Sequence, residues 1–336
     1  MHIDANLGMV DAVPPIGEIG ELSARAETMG ADGVWMSEVY TSPITQAVQA
    51  AENTDDAQLV LASMVAFPRS PMVTAYTAWD IQRLSGGRFT LGLTSQVKAH
   101  VERRFGTAFS PPGPRFRDYI RAVRTIWDAW RTGDPLEYDG EYYTLDFCPP
   151  EWRPEPLSEP SVPIYISAVN PYNLKIAGEL CDGVHLHVLS TPEYVEESVL
   201  PNIATGAEVG DRKADDVSLT DIVFAITGRT DEEREAARRQ VRQRIAFYGS
   251  TPGYDIIFDA HGWADVCEDL HRLSREDEWG KMTELITDEM LETFAVDAPW
   301  NELDEAVEDR YDHVDRVVLY TPPFRGEDRW VTLFAD

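Results

Sequence analysis

Three short stretches of the sequence gather residues whose types and spacing suit anion binding or proton transfer. The first is Ser167-Ala168-Val169-Asn170-Pro171-Tyr172-Asn173. Asn170 suits a helix N-cap and Pro171 the first helical position. A helix that starts here turns its free N–H groups and positive dipole end toward any phosphate in front of it. Lys175 comes one turn in; an ordinary cap accounts for Asn170 and Pro171 but not for Lys175. The second stretch, Gln96-Val97-Lys98-Ala99-His100-Val101-Glu102-Arg103-Arg104, concentrates Lys98, His100, Arg103 and Arg104. The plainer alternative there is a solvated helix face paired with Glu102. The third, His185-Leu186-His187, puts two imidazoles on one face of a strand, a spacing that binds metal in hydrolase barrels. The carboxylate and lysine partners of such a centre are missing, and one packed plus one pocket-lining histidine is the alternative.

The elements that must position these residues alternate strand and helix. Strands are expected at 2–8, 33–37, 59–64, 88–93, 164–167, 184–188, 217–227 and 314–320. Helices are expected at 16–29, 43–51, 71–84, 115–131, 171–180, onward from 192, and at 231–248. In the first helix Ile16, Ile19, Leu22, Ala26 and Met29 recur at helical spacing and Gly30 supplies the stop. The unbroken apolar run 59–64 suits a strand buried on both faces. A hairpin over 136–147 should turn at Asp139-Gly140, and 256–306 should be mainly helical. Strand–helix repetition with no splitting linker implies an α/β fold, a single (β/α)8 TIM barrel over 1–336. Its insertions fall at about 95–114 after strand four, 135–163 before strand five and 250–312 before strand eight. No G-x-G-x-x-G comes after the first strand, which weakens a dinucleotide-binding sheet. Barrel chemistry sits at the C-terminal strand ends. Here those ends are Asn6, Ser37, Glu38, Ser63, Met64, Thr94, Gln96, Ser167, Ala168, Val169, His187 and Tyr320, a polar ring with one carboxylate.

The chain carries 59 acidic and 29 basic residues, a net charge of −30, and only four lysines. Such a surface repels nucleic acid and anionic membranes. It suits a high-salt cytosol, where screening removes the self-repulsion, so a halophilic source is expected. The N-terminal residues lack a signal peptide's basic and apolar regions, and no run is long enough to span a membrane. The three cysteines have no metal-like spacing. All this reads as a cytoplasmic protein with reduced thiols. Against that charge, two of the four lysines, Lys98 and Lys175, fall beside the two candidate anion sites.

Three segments carry a family resemblance: Gly33-Val34-Trp35-Met36-Ser37-Glu38, Ser85-Gly86-Gly87-Arg88-Phe89-Thr90-Leu91-Gly92-Leu93, and Ala177-Gly178-Glu179-Leu180-Cys181-Asp182-Gly183-Val184. Together they resemble the bacterial luciferase-like monooxygenase superfamily. Ser95 to Gly106 is similar to its coenzyme F420-dependent oxidoreductase subgroup. The resemblance implies a flavin or deazaflavin ring in the barrel mouth. It would be held by Asn6, Ser37, Ser63, Met64, Thr94 and Gln96, with the phosphate at Ser167, Ala168, Val169, Asn170, Tyr172 and Asn173. The Lys98/Arg103/Arg104 patch would receive the coenzyme's phosphate or acidic tail, and Lys175 stands beside the phosphate site at Ser167–Asn173. A non-prolyl cis peptide is implied near Ala62–Ser63 or Ser63–Met64, and a homodimer is implied as well. Two positions depart from the pattern: Val39 stands where relatives carry a histidine, and Thr94 where they carry glycine. Glu38, His100 and His187 are then the candidates for proton transfer. The implied activity is hydride transfer between F420 and a small organic substrate. Trp35, Phe67, Phe105, Tyr172 and Tyr320 near the mouth would suit such an organic molecule, with core packing as the alternative for each. An FMN-dependent monooxygenase, a non-catalytic flavin-binding protein and a metal hydrolase are the competing readings.

Overall fold

The computed structural model describes residues 1–7, 14–158 and 161–320. Eight parallel strands close a barrel: β1 (His2–Asn6), β2 (Gly33–Met36), β3 (Gln58–Leu61), β4 (Phe89–Thr94), β5 (Ile164–Ser167), β6 (Gly183–His185), β7 (Ser218–Ile226) and β8 (Arg316–Leu319). Each pairs with the next, and β8 returns to β1 through His2↔Arg316, Ile3↔Val317 and Asp4↔Val318. The expected (β/α)8 barrel is therefore the observed fold. The helices between its strands include α1 (Ile19–Thr28), α2 (Pro43–Asn53), α3 (Pro71–Leu84), α4 (Pro112–Thr132), α5 (Pro171–Leu180), α6 (Leu200–Val209) and α7 (Asp231–Gly249), and shorter helices, among them Asp288–Phe294 and Leu303–Arg310, follow before β8. No helix among the described residues is long and apolar enough to cross a membrane.

Two apolar layers result from strand alternation. The outward strand faces and the helices share one large core, to which Leu59, Leu61, Ile164, Ile166 and Val317 belong. Inside the barrel a small cluster of Trp35, Val60 and Val318 packs with Ala62 and Ile222. Polar groups lie beside it. Trp35 Nε1 donates to Asp4 Oδ2 at 2.6 Å, and Asp4 Oδ1 pairs with Arg316. Asp4 is fully buried, and burial lifts its pKa to about 6 against the opposing pull of Arg316.

Several local expectations need correction. The hairpin pairs Tyr138–Asp139 with Thr144–Leu145, but its turn runs from Gly140 to Tyr143 rather than through two residues. The cause is Asp118 on α4, whose Oδ2 accepts the N–H groups of Tyr142 and Tyr143. That carboxylate lies where a Cβ at Gly140 would fall, so only glycine allows the approach. Ala295–Asp297, placed in a helical run from sequence, is a strand paired with β7. Met64–Val65 forms a further short strand against β4. The sixth strand stops at His185, leaving His187 in the loop beyond it. The glycine after β1 and the Thr321–Pro323 stretch lie outside the described residues.

Candidate functional site

The C-terminal strand ends form a mouth with two unlike arcs. From β1 to β5 the inward groups are Asn6, Ser37, Ser63, Thr94 and Ser167. Asn6 is buried and donates from Nδ2 to the carbonyls of Tyr320, at 2.9 Å, and Leu319, at 3.4 Å, so it sutures β1 to β8. Ser63 comes after a cis peptide at Ala62–Ser63, one of the two positions expected. Its Oγ meets Ser167 Oγ at 2.8 Å, joining the ends of β3 and β5. Met64 behind it is fully buried.

Glu38 holds this arc from behind. Arg69 reaches it with two nitrogens, at 2.7 and 3.0 Å, and the Val65 N–H donates to it at 2.8 Å. Arg69 also donates to the Val65 carbonyl at 2.8 Å. The sequence expectation gave Glu38 a proton-transfer or ring-binding role, or else a salt bridge or helix cap near Thr41 and Ser42; a salt bridge forms, and its partner is Arg69. The structure commits both oxygens to residues 65 and 69, so Glu38 fixes the loop after β3. Ser42 stands at the N-cap of α2 but makes no side-chain cap.

From β6 to β8 the mouth is aromatic. The His187 ring stacks on Tyr254 at 3.9 Å and meets the edge of Tyr248 at 4.8 Å. Tyr248 Oη lies 3.1 Å from Tyr320 Oη, and Phe224 packs against Tyr320 at 4.9 Å. Burial holds the His187 pKa below the ordinary imidazole range. Its Nδ1 accepts the Leu189 N–H at 3.3 Å, so the neutral ring carries its hydrogen on Nε2. Sequence reasoning missed Tyr248, Tyr254 and Phe224. No spacing signal links Tyr254 to a histidine 67 positions earlier.

The two histidines do not converge as a metal pair. His185 sits in the barrel interior, 2% exposed, between Thr220 Oγ1 at 2.7 Å and the Leu61 carbonyl at 3.1 Å. Trp35 is likewise an interior residue, one layer below the mouth, and Phe67 packs edge-on to Phe116 under the Arg115 guanidinium. These two aromatic residues therefore do not line the mouth.

The α5 entry forms as expected: Asn170 Oδ1 accepts the Asn173 N–H at 2.9 Å, with Pro171 at the first position. Pro171 has no N–H, so Tyr172 supplies the first-turn donor that the cap leaves over. The Val169 carbonyl accepts the Tyr194 hydroxyl at 2.7 Å, Ala168 is buried, and Tyr172 and Lys175 are exposed. The basic stretch forms one wide helical turn at His100–Arg104, entered through Gln96 at φ 57°. Lys98 is exposed and 4.0 Å from Glu102, the solvated pairing weighed against a ligand. His100 is exposed too, and Arg104 donates to the Val39 carbonyl at 2.6 Å.

The profile of a family described as luciferase-like monooxygenase matches residues 2–316. An uncharacterized protein of Mycobacterium tuberculosis is 38% identical over 306 residues, 90% of this chain and 89% of that one. The 5,10-methylenetetrahydromethanopterin reductase of Archaeoglobus fulgidus is 28% identical over 280 residues, 81% of this chain and 79% of that one. Among solved structures, the coenzyme F420-dependent tetrahydromethanopterin reductase from Methanopyrus kandleri shares the fold. Its TM-score is 0.77 over 99% of this chain and 97% of that one, at 20% identity.

Proposed function

The chain belongs to the luciferase-like monooxygenase family, and from that premise we propose that it is an oxidoreductase that binds coenzyme F420 in the barrel mouth and exchanges a hydride with a small organic substrate. The carrying observation is the division of the mouth. A hydroxyl-rich arc held by the Ser63–Ser167 contact faces an aromatic arc of His187, Tyr254, Tyr248 and Tyr320. A heteroaromatic coenzyme needs hydrogen-bonding groups along its edge, and an organic substrate needs apolar walls. The likeness to the reductases supports F420 over FMN.

When bound, the deazaflavin supplies the carbon that gives or takes the hydride. The protein's part is to bind and orient. Ser63, Ser167 and Thr94 offer hydroxyls to the ring edge, and Tyr172 N–H and Lys175 meet the phosphate in front of α5. Glu38 acts through Val65 and Arg69, as a positioning residue. His187, neutral and protonated on Nε2, is the hydrogen-bond donor on the substrate side. His100, exposed on the rim, is the remaining proton-transfer candidate.

Titration of the protein with F420 and separately with FMN, in high potassium chloride, tests this reading. Tighter binding of F420 is expected. Preference for FMN with oxygen uptake would make it a monooxygenase, and binding of neither would overturn the cofactor reading. The acidic surface goes with a cytosol of high salt, so the melting temperature should rise between low and molar potassium chloride.

A further inference from the structure

Glycine at position 92 of β4 leaves a gap in the barrel interior. A Cβ there would collide with the Leu61 carbonyl and crowd His185 Nε2. Through that gap the His185 ring, carried by β6, reaches across to the last carbonyl of β3 at 3.1 Å. A carbonyl only accepts, so Nε2 must bear the hydrogen. The ring is neutral, because burial without an acidic partner disfavours the imidazolium. Nδ1 is then the acceptor, and the Thr220 hydroxyl, 2.7 Å away, must be its donor. That hydroxyl also lies 3.1 Å from the Val184 carbonyl, but its single hydrogen is taken by the ring. Thr220 is 1% exposed, so no solvent competes for this arrangement.

The hold of His185 on Leu61 matters because Ala62 and Ser63 are the next residues, and Ser63 Oγ meets Ser167 Oγ at the mouth. Beyond them the Val65 N–H is fixed by Glu38 and its carbonyl by Arg69. Residues 61–65 are therefore gripped at both ends, from inside the barrel by His185 and from behind the mouth by the Glu38–Arg69 pair. We infer that His185 is a positioning residue: through the Leu61 carbonyl it sets where the Ser63 hydroxyl stands at the mouth, while touching no ligand itself. Its consequence for binding rests on the proposed cofactor reading; its consequence for the protein without cofactor does not.

Two variants separate these consequences. His185→Leu removes the donor, and His185→Gln keeps an N–H within reach of Leu61. The readouts are the nitrogen-15 ring signals of His185, amide hydrogen exchange at residues 62–65 without cofactor, and the F420 dissociation constant. The wild type should show the Nε2–H tautomer. In His185→Leu, exchange at 62–65 should quicken about tenfold and F420 binding weaken about tenfold, the scale of one buried hydrogen bond. His185→Gln should stay within about threefold of wild type on both. An Nδ1–H tautomer in the wild type, or unchanged exchange at 62–65 in His185→Leu, overturns the inference. If His185→Leu does not fold, His185→Asn, whose amide ends too short of Leu61 to replace Nε2, decides, with faster exchange at 62–65 supporting the inference and wild-type exchange overturning it. If the wild type binds neither F420 nor FMN, the cofactor reading falls, while the tautomer and the exchange rates still decide the role of His185.

Discussion

From β1 to β5 the mouth is rimmed by small polar side chains, and from β6 to β8 by rings. The first arc is held by directional contacts: Asn6 to the carbonyls at the end of β8, Ser63 to Ser167, and Glu38 to Arg69 and Val65. The second is held by ring packing onto residues from α7 and the insertion after it. Directional bonds in a buried setting fix positions to a fraction of an ångström and are costly to leave half made. Ring contacts tolerate sliding. A rigid coenzyme edge suits the first arc and varied substrates the second, so changes on the two sides should separate into effects on coenzyme binding and on substrate binding.

The largest effect is expected at the Glu38–Arg69 pair, whose side chains are 8% and 16% exposed. Arg69→Met leaves the carboxylate buried without its partner, which costs about 3 kcal/mol. Urea unfolding should show that loss, and F420 affinity should fall with it. Wild-type affinity in a folded Arg69→Met protein would mean that the polar arc does not hold the coenzyme.

Acidification asks whether both arcs share one floor. The His185 pKa is lowered to about 3 by burial, below its unfolded value of 6.5. The unfolded chain then binds more protons between those limits, and stability falls as pH drops through that window. Asp4 works in the opposite sense. Its pKa is raised from 3.8 to about 6, so the native state binds the extra proton and stability falls as pH rises from about 4 to 6. Each slope approaches about 1.4 kcal/mol per pH unit, and between pH 4 and 6 they offset one another. His185→Gln should lose less stability than wild type between pH 6 and 4, and Asp4→Asn should lose more. Parallel melting curves for all three proteins across that range would refute the opposed titrations.

On the aromatic side, Tyr254→Ala removes the ring stacked on His187. Because Tyr254 is half-buried, the loss should be about 2 kcal/mol, below the usual cost of truncating a fully buried aromatic ring. Exchange should quicken in residues 250–275 and not in the barrel strands. F420 affinity should stay near wild type while the substrate KM rises. Equal losses of both would erase the distinction between the arcs.

The same distinction governs what was legible in the sequence. Alternating strands and helices, the α5 cap at Asn170 and the strand-end residues of the polar arc are all local patterns, and the barrel places them as expected. Arg69 was invisible because it lies 31 residues from Glu38, and Tyr254 because it lies 67 from His187. Both contacts form only when neighbouring β/α units pack against one another. For Trp35 the sequence left the mouth and the core both open, because strand alternation gives a side and not a depth; the structure puts it in the interior. Ala295–Asp297 was absorbed into the helices flanking it, since three residues carry too little pattern to announce a strand.

The smallest expected change tests the phosphate end of the polar arc. Lys175 is exposed on α5, so Lys175→Gln should alter stability by less than about 0.5 kcal/mol. Its effect on F420 affinity depends on salt. At molar ionic strength the screening length is about 3 Å, which hides even a genuine contact between exposed charges. The titration must therefore be run at the lowest salt in which the protein stays folded. There a phosphate in front of α5 should make Lys175→Gln bind about tenfold more weakly, with the difference shrinking as salt is added. Lys98→Gln is the matched control, since Lys98 already lies 4.0 Å from Glu102. Loss at Lys175 alone locates the phosphate at α5, and equal loss at both reports only the field of a chain with net charge −30. No loss at either reduces Asn170 and Pro171 to an ordinary helix start and moves the anionic end of the coenzyme elsewhere on the rim.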